Sequence, residues 1–166
     1  MIFTDMPAGA SLFIDANTFV YHFSPHATLG APCTELLERI NRQEISASTS
    51  IDVLRDVAHR IMTAEAMTRE GWPVAGIAHR LRKHPDVIQA LSVLRQSIDD
   101  VPRFGVTILP SPTSIASAAA LVSQQYGLIS GDAMIVALMQ QFGLTNLASH
   151  DDDFDRVPWL TRYAPV

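Results

Sequence analysis

The chain has 166 residues, 48% apolar and 17% charged, enough for one domain with a full core and far from the composition of a disordered protein. The longest apolar stretches, such as 116–122, fall short of the roughly 20 residues a membrane span needs, and no basic residue precedes the first apolar run, so neither a span nor a secretory leader is expected. The lone Cys33 excludes an internal disulfide framework and a multi-cysteine zinc site, and the net charge of −5 argues against coating nucleic acid by bulk charge. A cytoplasmic protein that touches few phosphates, through a metal, remains compatible with all three.

In chain order, Ser11-Leu12-Phe13-Ile14 is a short continuous apolar run, the pattern of a strand buried on both faces in a parallel sheet. It hands over at Asp15 to a helix running through Phe23. Pro32 opens a second helix with Leu36, Leu37 and Ile40 on one face. Residues 45–48 form a weak second strand, after which Ser50 caps a long helix carrying Ile51, Leu54, Ala58, Ile61 and Met62 at helical spacing. Gly71 and Pro73 break that pattern.

Two helical stretches follow, at 74–82 and 87–98, then a β-branched strand at 106–109 stopped by Pro110 and Pro112. An alanine-rich helix spans 113–126 and ends at Gly127; another runs from Ser130 to Gly143. A last short strand at 147–149 precedes the acids Asp151, Asp152, Asp153 and Asp155. Strands alternating with helices predict an α/β sandwich on a parallel sheet, organised as one domain.

In such sheets ligands bind at the carboxyl ends of the strands. Asp15 and Asn17 follow the first strand, Asp151 and Asp153 the last; Asp132 lies in the first turn of a helix, and Asp56 projects from the long helix. Convergent carboxylates suit hard divalent cations such as Mg²⁺ or Mn²⁺, and they repel one another without one. Each acid also has a simpler reading. Asp15 and Asn17 serve as helix caps, Asp132 complements a helix dipole, Asp56 pairs with Arg60 one turn on or with its other neighbours, as Asp52 does with Arg55, and 151–155 is a solvated turn. Those readings leave the joint pattern, acids at strand ends in this order, unexplained.

The strand closing in Asp15-Ala16-Asn17-Thr18, the Ser50-to-Asp56 spacing, Ser130-Gly131-Asp132-Ala133, and Ser149-His150-Asp151-Asp152-Asp153-Phe154 resemble the four acidic motifs of PIN domains, and within that family the VapC-type toxins of bacterial toxin–antitoxin pairs. The resemblance spans nearly the whole chain, up to a terminal strand at 163–166, and implies a three-layer sandwich with a mostly parallel central sheet flanked by helices. The family usually has Glu where Asp56 stands, so Asp52, one turn earlier, is an alternative ligand.

What the resemblance implies is a metal-dependent endoribonuclease. Asp15, Asp56, Asp132 and Asp151 would be its catalytic acids, with Asp153 joining Asp15, Asp132 and Asp151 around Mg²⁺ or Mn²⁺. Such an ion acidifies a water and offsets charge at the scissile phosphate. Asn17 and Ser149 would orient the ligands. The resemblance further implies a 5′-phosphate on the downstream fragment, a homodimer, and a cognate antitoxin that places a basic side chain among the carboxylates.

For substrate contact, the densest basic stretch offers Arg80, Arg82 and Lys83, which would equally suit a solvated helix face. The stripe Val87, Leu91, Leu94 and Ile98 suits core packing or a partner. A phosphatase of haloacid-dehalogenase type is disfavoured: it needs an acid two residues after its nucleophilic Asp, where this chain has Asn17. A PIN nuclease acting in RNA processing or on DNA, and a non-catalytic binding module of the same fold, stay open.

Overall fold

The computed structural model describes residues 1–24 and 26–166. After a short 3₁₀ turn at Phe3–Asp5, the elements are β1 (Ser11–Ile14), α1 (Ala16–Phe23), α2 (Gly30–Asn41), β2 (Ser46–Ser50), α3 (Ile51–Glu70), α4 (Ile77–Lys83), α5 (Pro85–Gln89) and α6 (Val93–Asp100). They continue with a 3₁₀ turn at Val101–Phe104, β3 (Thr107–Leu109), α7 (Ser114–Tyr126), α8 (Ser130–Gln141), β4 (Asn146–Ala148), a 3₁₀ turn at Asp152–Arg156 and β5 (Thr161–Tyr163).

The five strands lie in the order β3-β2-β1-β4-β5, and every pairing is parallel. From β1 the chain steps outward through β2 to β3, then returns to the other side of β1 with β4 and β5. Right-handed crossovers in two opposite directions put the connecting helices on opposite faces of the sheet. The reversal falls between β1 and β4, and a crevice opens where connections leave in opposite directions. This switch point fixes the site: Asp15 follows β1, and Ser149 follows β4.

Leu12, Phe13 and Ile14 are fully buried, as a central parallel strand requires. They pack with Phe19, Leu138, Met139, Leu147 and Phe154 into the main core. The serine-rich β2 tolerates its inner position because Thr49 Oγ1 donates to the Ile14 carbonyl at 2.9 Å. Ser50 Oγ accepts the Val53 N–H at 3.2 Å and caps α3. Cys33 is buried among these side chains, and burial pushes its thiol up to about 12. No helix among the described residues is long and apolar enough to cross a membrane.

A satellite cluster of Ala66, Ile77, Leu81 and Val87 seats α4 and α5 against the later turns of α3. Here the structure differs from the sequence expectation. The helix expected at 74–82 starts at Ile77, and the stretch expected at 87–98 divides into α5 and α6. The division has a tertiary cause: the Glu65 carboxylate on α3 accepts the N–H groups of Ser92 and Val93 at 2.9 and 3.0 Å, starting a new helix there. The apolar stripe is shared out accordingly, Val87 and Leu91 to the satellite, Leu94 and Ile98 to the main core. The terminal strand lies at 161–163 instead of 163–166; beyond it only Ala164 bridges, to Ile2.

Candidate active site

Asp15 stands where β1 turns into α1. Its own N–H stays in the sheet, donating to the Ala148 carbonyl at 3.0 Å. Its carboxylate turns into the crevice and accepts three hydrogen bonds: from the Ala16 N–H (2.6 Å) at Oδ1, and from Asn17 Nδ2 (2.6 Å) and Ser149 Oγ (2.8 Å) at Oδ2. A carboxylate has room for about four such bonds, so one acceptor direction remains, on Oδ1. The capping reading of Asp15 therefore holds as far as it goes, and two side chains besides the helix fix the carboxylate.

Asn17 and Ser149 are both buried and tie β1 to β4. Asn17 Nδ2 also reaches Ser149 Oγ at 3.0 Å, while its Oδ1 accepts the His150 N–H at 3.0 Å. Ser149 Oγ in turn accepts the Asp151 N–H at 3.0 Å. Asp151 then caps the following 3₁₀ turn, its Oδ1 accepting the Asp153 N–H at 3.0 Å. Arg162 clamps this loop from β5, gripping Asp155 through two 2.8 Å contacts and donating to the Ser149 carbonyl at 3.3 Å. The Arg162 guanidinium holds the Asp155 carboxyl below its ordinary range. Asp153 pairs with Arg156 at 2.7 Å.

Asp132 is the third residue of α8, and its Oδ2 is buried with no hydrogen-bond partner. Burial first, then the negative charges of Asp151, Asp15 and Asp153, push its carboxyl up to about 6; the positive charge of Arg60 works against them. Asp15 is raised as well, by burial and by Asp151, against the opposing hydrogen bonds from Ser149 and Ala16 and the charge of Arg60. The switch point thus gathers Asp15, Asp132, Asp151 and Asp153 into one field of mutual repulsion. Carboxylate oxygens of Asp151, Asp152 and Asp153 lie within 4.8 Å of one another, which adds Asp152 to the group.

The second motif stands apart. Asp56 and Asp52 line a cavity of about 270 Å³ between α3 and the start of α8, together with Ser130 and Gly131. Asp56 Oδ1 is held by Arg55 at 3.2 Å. Both acids therefore adjoin the start of the helix that presents Asp132. Arg80, Arg82 and Lys83 are exposed on α4, in the satellite layer. Met62, Ala66 and Met67, the α3 residues that meet this layer, lie six to eleven residues beyond Asp56, about 9 to 16 Å along the helix axis. None of these three cations forms an ion pair with an acid among the described residues.

Arg60 and Tyr21 take no part in the site as the sequence suggests it. Arg60 was expected to pair with Asp56, yet it forms no ion pair among the described residues, and its charge acts on Asp15, Asp132 and Tyr21. Tyr21, on α1, has the His150 ring against it edge-on, centroids 5.8 Å apart. Of the pairings open to Asp56, the one with a neighbour prevails: Arg55, next to it, takes that carboxylate.

With this geometry in view, residues 12–160 match the PIN domain family. Ribonuclease VapC2 of Methanocaldococcus jannaschii is 24% identical over 151 residues, covering 90% of either chain. Among solved structures, VapBC2 from Rickettsia felis bound to a DNA fragment from their promoter superposes with a TM-score of 0.57 at 16% identity, covering 93% of this chain and 98% of that one. A toxin–antitoxin complex from Klebsiella pneumoniae gives 0.52 at 16% identity, with coverages of 90% and 95%.

Proposed function

The chain belongs to the PIN domain family, and from that premise we propose that it is a divalent-metal-dependent endoribonuclease, the toxin of a toxin–antitoxin pair. The observation that carries the reading is the orphaned Asp132 Oδ2, buried and facing the charges of Asp15, Asp151 and Asp153. A buried carboxylate without a partner is costly, and like charges added around it deepen that cost. A hard cation relieves both at once. All the donors are oxygens, the set that suits Mg²⁺ or Mn²⁺. The name of the Methanocaldococcus jannaschii relative, a ribonuclease, supports the activity, and the toxin–antitoxin complexes among the structural neighbours support an antitoxin partner.

In this reading Asp15, Asp132, Asp151 and Asp153 hold the metal, and Asp56 approaches from α3, with Asp52 as its alternate. When bound, the cation supplies Lewis acidity, acidifying water and offsetting charge at the phosphate of an RNA strand. The chain's own part is positional. Ser149 and Asn17 saturate Asp15 Oδ2, and the Ala16 N–H takes one of the two acceptor directions of Oδ1, so the carboxylate presents one defined acceptor direction. Asp132, its carboxyl pushed up to about 6 by burial and by the neighbouring acids, would give up its proton to serve as a ligand. Ile51 and Ile129, each next in sequence to a residue lining the α3–α8 cavity, are exposed, and this apolar rim suits a second copy of the chain in a homodimer.

The test is cleavage of total bacterial RNA in Mg²⁺ or Mn²⁺, with new 5′ ends mapped by sequencing and Asp15→Asn and EDTA samples alongside. Discrete new ends bearing 5′-phosphates, missing from both controls, are expected. Ends that persist in Asp15→Asn, or no ends in any sample, would overturn the reading; cleavage of DNA alone would move the substrate class.

A further inference from the structure

An acidic chain does not hold RNA by bulk charge, and three arginines beside the acids are already engaged: Arg55 by Asp56, Arg156 by Asp153 and Arg162 by Asp155. A single strand offers a second handle, the flat faces of its bases, which stack on aromatic rings. Such rings stand at the rim of the crevice. Tyr21 lies one turn after Asn17 on the same face of α1. The His150 ring meets it edge-on with centroids 5.8 Å apart, and the His26 ring meets it tilted at 4.9 Å.

Hydrogen bonds tie this group of rings to the acids. His150 directly precedes Asp151, and its N–H donates to Asn17 Oδ1 at 3.0 Å, while Asn17 Nδ2 donates to Asp15 Oδ2 at 2.6 Å. One buried side chain thus positions both the backbone that carries the His150 ring and the Asp15 carboxylate. The His26 ring is anchored separately, its Nδ1 accepting the Leu29 N–H at 3.2 Å where α2 begins. Rings gathered only to fill the fold would be buried. Here Tyr21 is half-buried against the main core, and His26 and His150 extend it as exposed rings.

We propose that Tyr21, with His26 and His150, is a stacking platform that receives a base flanking the scissile phosphate of a single-stranded RNA. The inference rests on the ribonuclease reading above. The rings are substrate-positioning groups: they hold a base by its face, while the acids hold the cation at the neighbouring phosphate.

The tests use the full chain and a single-stranded RNA oligonucleotide carrying a cleavage site mapped in the assay above. The variants are Tyr21→Leu, Tyr21→Phe and His150→Leu, which keeps the backbone N–H bond to Asn17. Phe142→Leu is the control, an exposed ring at the far end of α8 from Asp132. In Mn²⁺, Tyr21→Leu and His150→Leu are expected to raise KM about fivefold or more with kcat changed less, and Tyr21→Phe and Phe142→Leu to stay within about twofold of wild type. Replacing single bases by abasic sites is expected to find one position beside the cut where the loss raises KM in the wild type and not in Tyr21→Leu, the coupling of two groups in contact. A fluorescent aminopurine at that position should be quenched on binding to Asp15→Asn and stay bright with Asp15→Asn/Tyr21→Leu. The salt slope of binding should be equal for the two, because no phosphate contact is lost.

Losses that add independently at every abasic position would overturn the proposal. So would Tyr21→Phe as impaired as Tyr21→Leu, which assigns the effect to the hydroxyl, or Tyr21→Leu that melts lower yet keeps its KM, which leaves the ring a role in the fold alone. Where Tyr21→Leu does not fold, His150→Leu carries the same abasic series. A wild-type chain that neither cuts nor binds RNA would overturn the ribonuclease reading along with it; a wild type that does both, with indifferent ring variants, removes only the stacking role.

Discussion

Asp15 and Asp132 carry the same carboxylate into the same crevice, and both are pushed above the ordinary range by burial. The fold treats them in opposite ways. Asp15 receives three hydrogen bonds, from the helix it caps and from two buried side chains that join β1 to β4. Asp132 receives none at Oδ2 and faces three other acids. One residue is therefore part of the framework as well as the site, whereas the other is held against its own electrostatics. The contrast separates what the fold needs from what only a bound cation explains.

Substitutions at these two positions should break the comparison most visibly. Asp132→Asn is expected to lower RNA cleavage at least about 100-fold and, in EDTA, to raise the melting temperature, because it removes a buried unpartnered charge. Asp15→Ala should lose activity to a similar degree but melt lower, by about 1–3 kcal/mol in unfolding free energy, since it deletes a cap and strands the donors of Asn17 and Ser149. Thermal unfolding beside a cleavage assay reads both; equal stability changes at the two positions would erase the distinction.

Ser149→Ala comes next. It leaves every acid in place and removes the hydroxyl that bonds Asp15 and Asp151, so metal affinity should fall about 10–100-fold, the usual effect of losing a group that orients a ligand. Mn²⁺ titration checks it.

The pH dependence sharpens the same contrast. Between pH 3.8 and about 6 the folded chain holds a proton at Asp132 that the unfolded chain has released. More protons bound in the folded state means that metal-free stability falls as pH rises through this window. Melting curves in EDTA at pH 4.5 and 7 should show a larger fall for the wild type than for Asp132→Asn, and saturating Mn²⁺ should reverse it. The smallest effect is expected at Arg80, Arg82 and Lys83: changing all three to Gln should move KM by no more than about twofold, and a tenfold rise would return substrate contact to α4.

Much of this arrangement was legible in the sequence because local chemistry and fold agree there. The apolar run before Asp15 is a buried strand, Ser50 caps α3, and Gly127 closes α7 in the left-handed conformation that glycine adopts without strain. The order of acids at strand ends was readable for the same reason, since a parallel sheet exposes its loops in a fixed order. What escaped was set at a distance. The break between α5 and α6 depends on Glu65, more than twenty residues earlier, and no local signal at 90–92 announces it. The cations are a second case: three stand together on α4, and none of them pairs with an acid among the described residues, while Arg55, Arg156 and Arg162, scattered along the chain, each hold one.

The central claim is that the crevice between β1 and β4 is a cation site built at electrostatic cost, and calorimetric titration of Mn²⁺ into the metal-free protein near pH 6 tests it most directly. Saturable binding with proton release is expected, the protons detected by repeating the titration in buffers of different ionisation enthalpy, with both binding and release abolished in Asp132→Asn. Absence of binding in the wild type, or binding of the same strength in Asp132→Asn, would contradict the account.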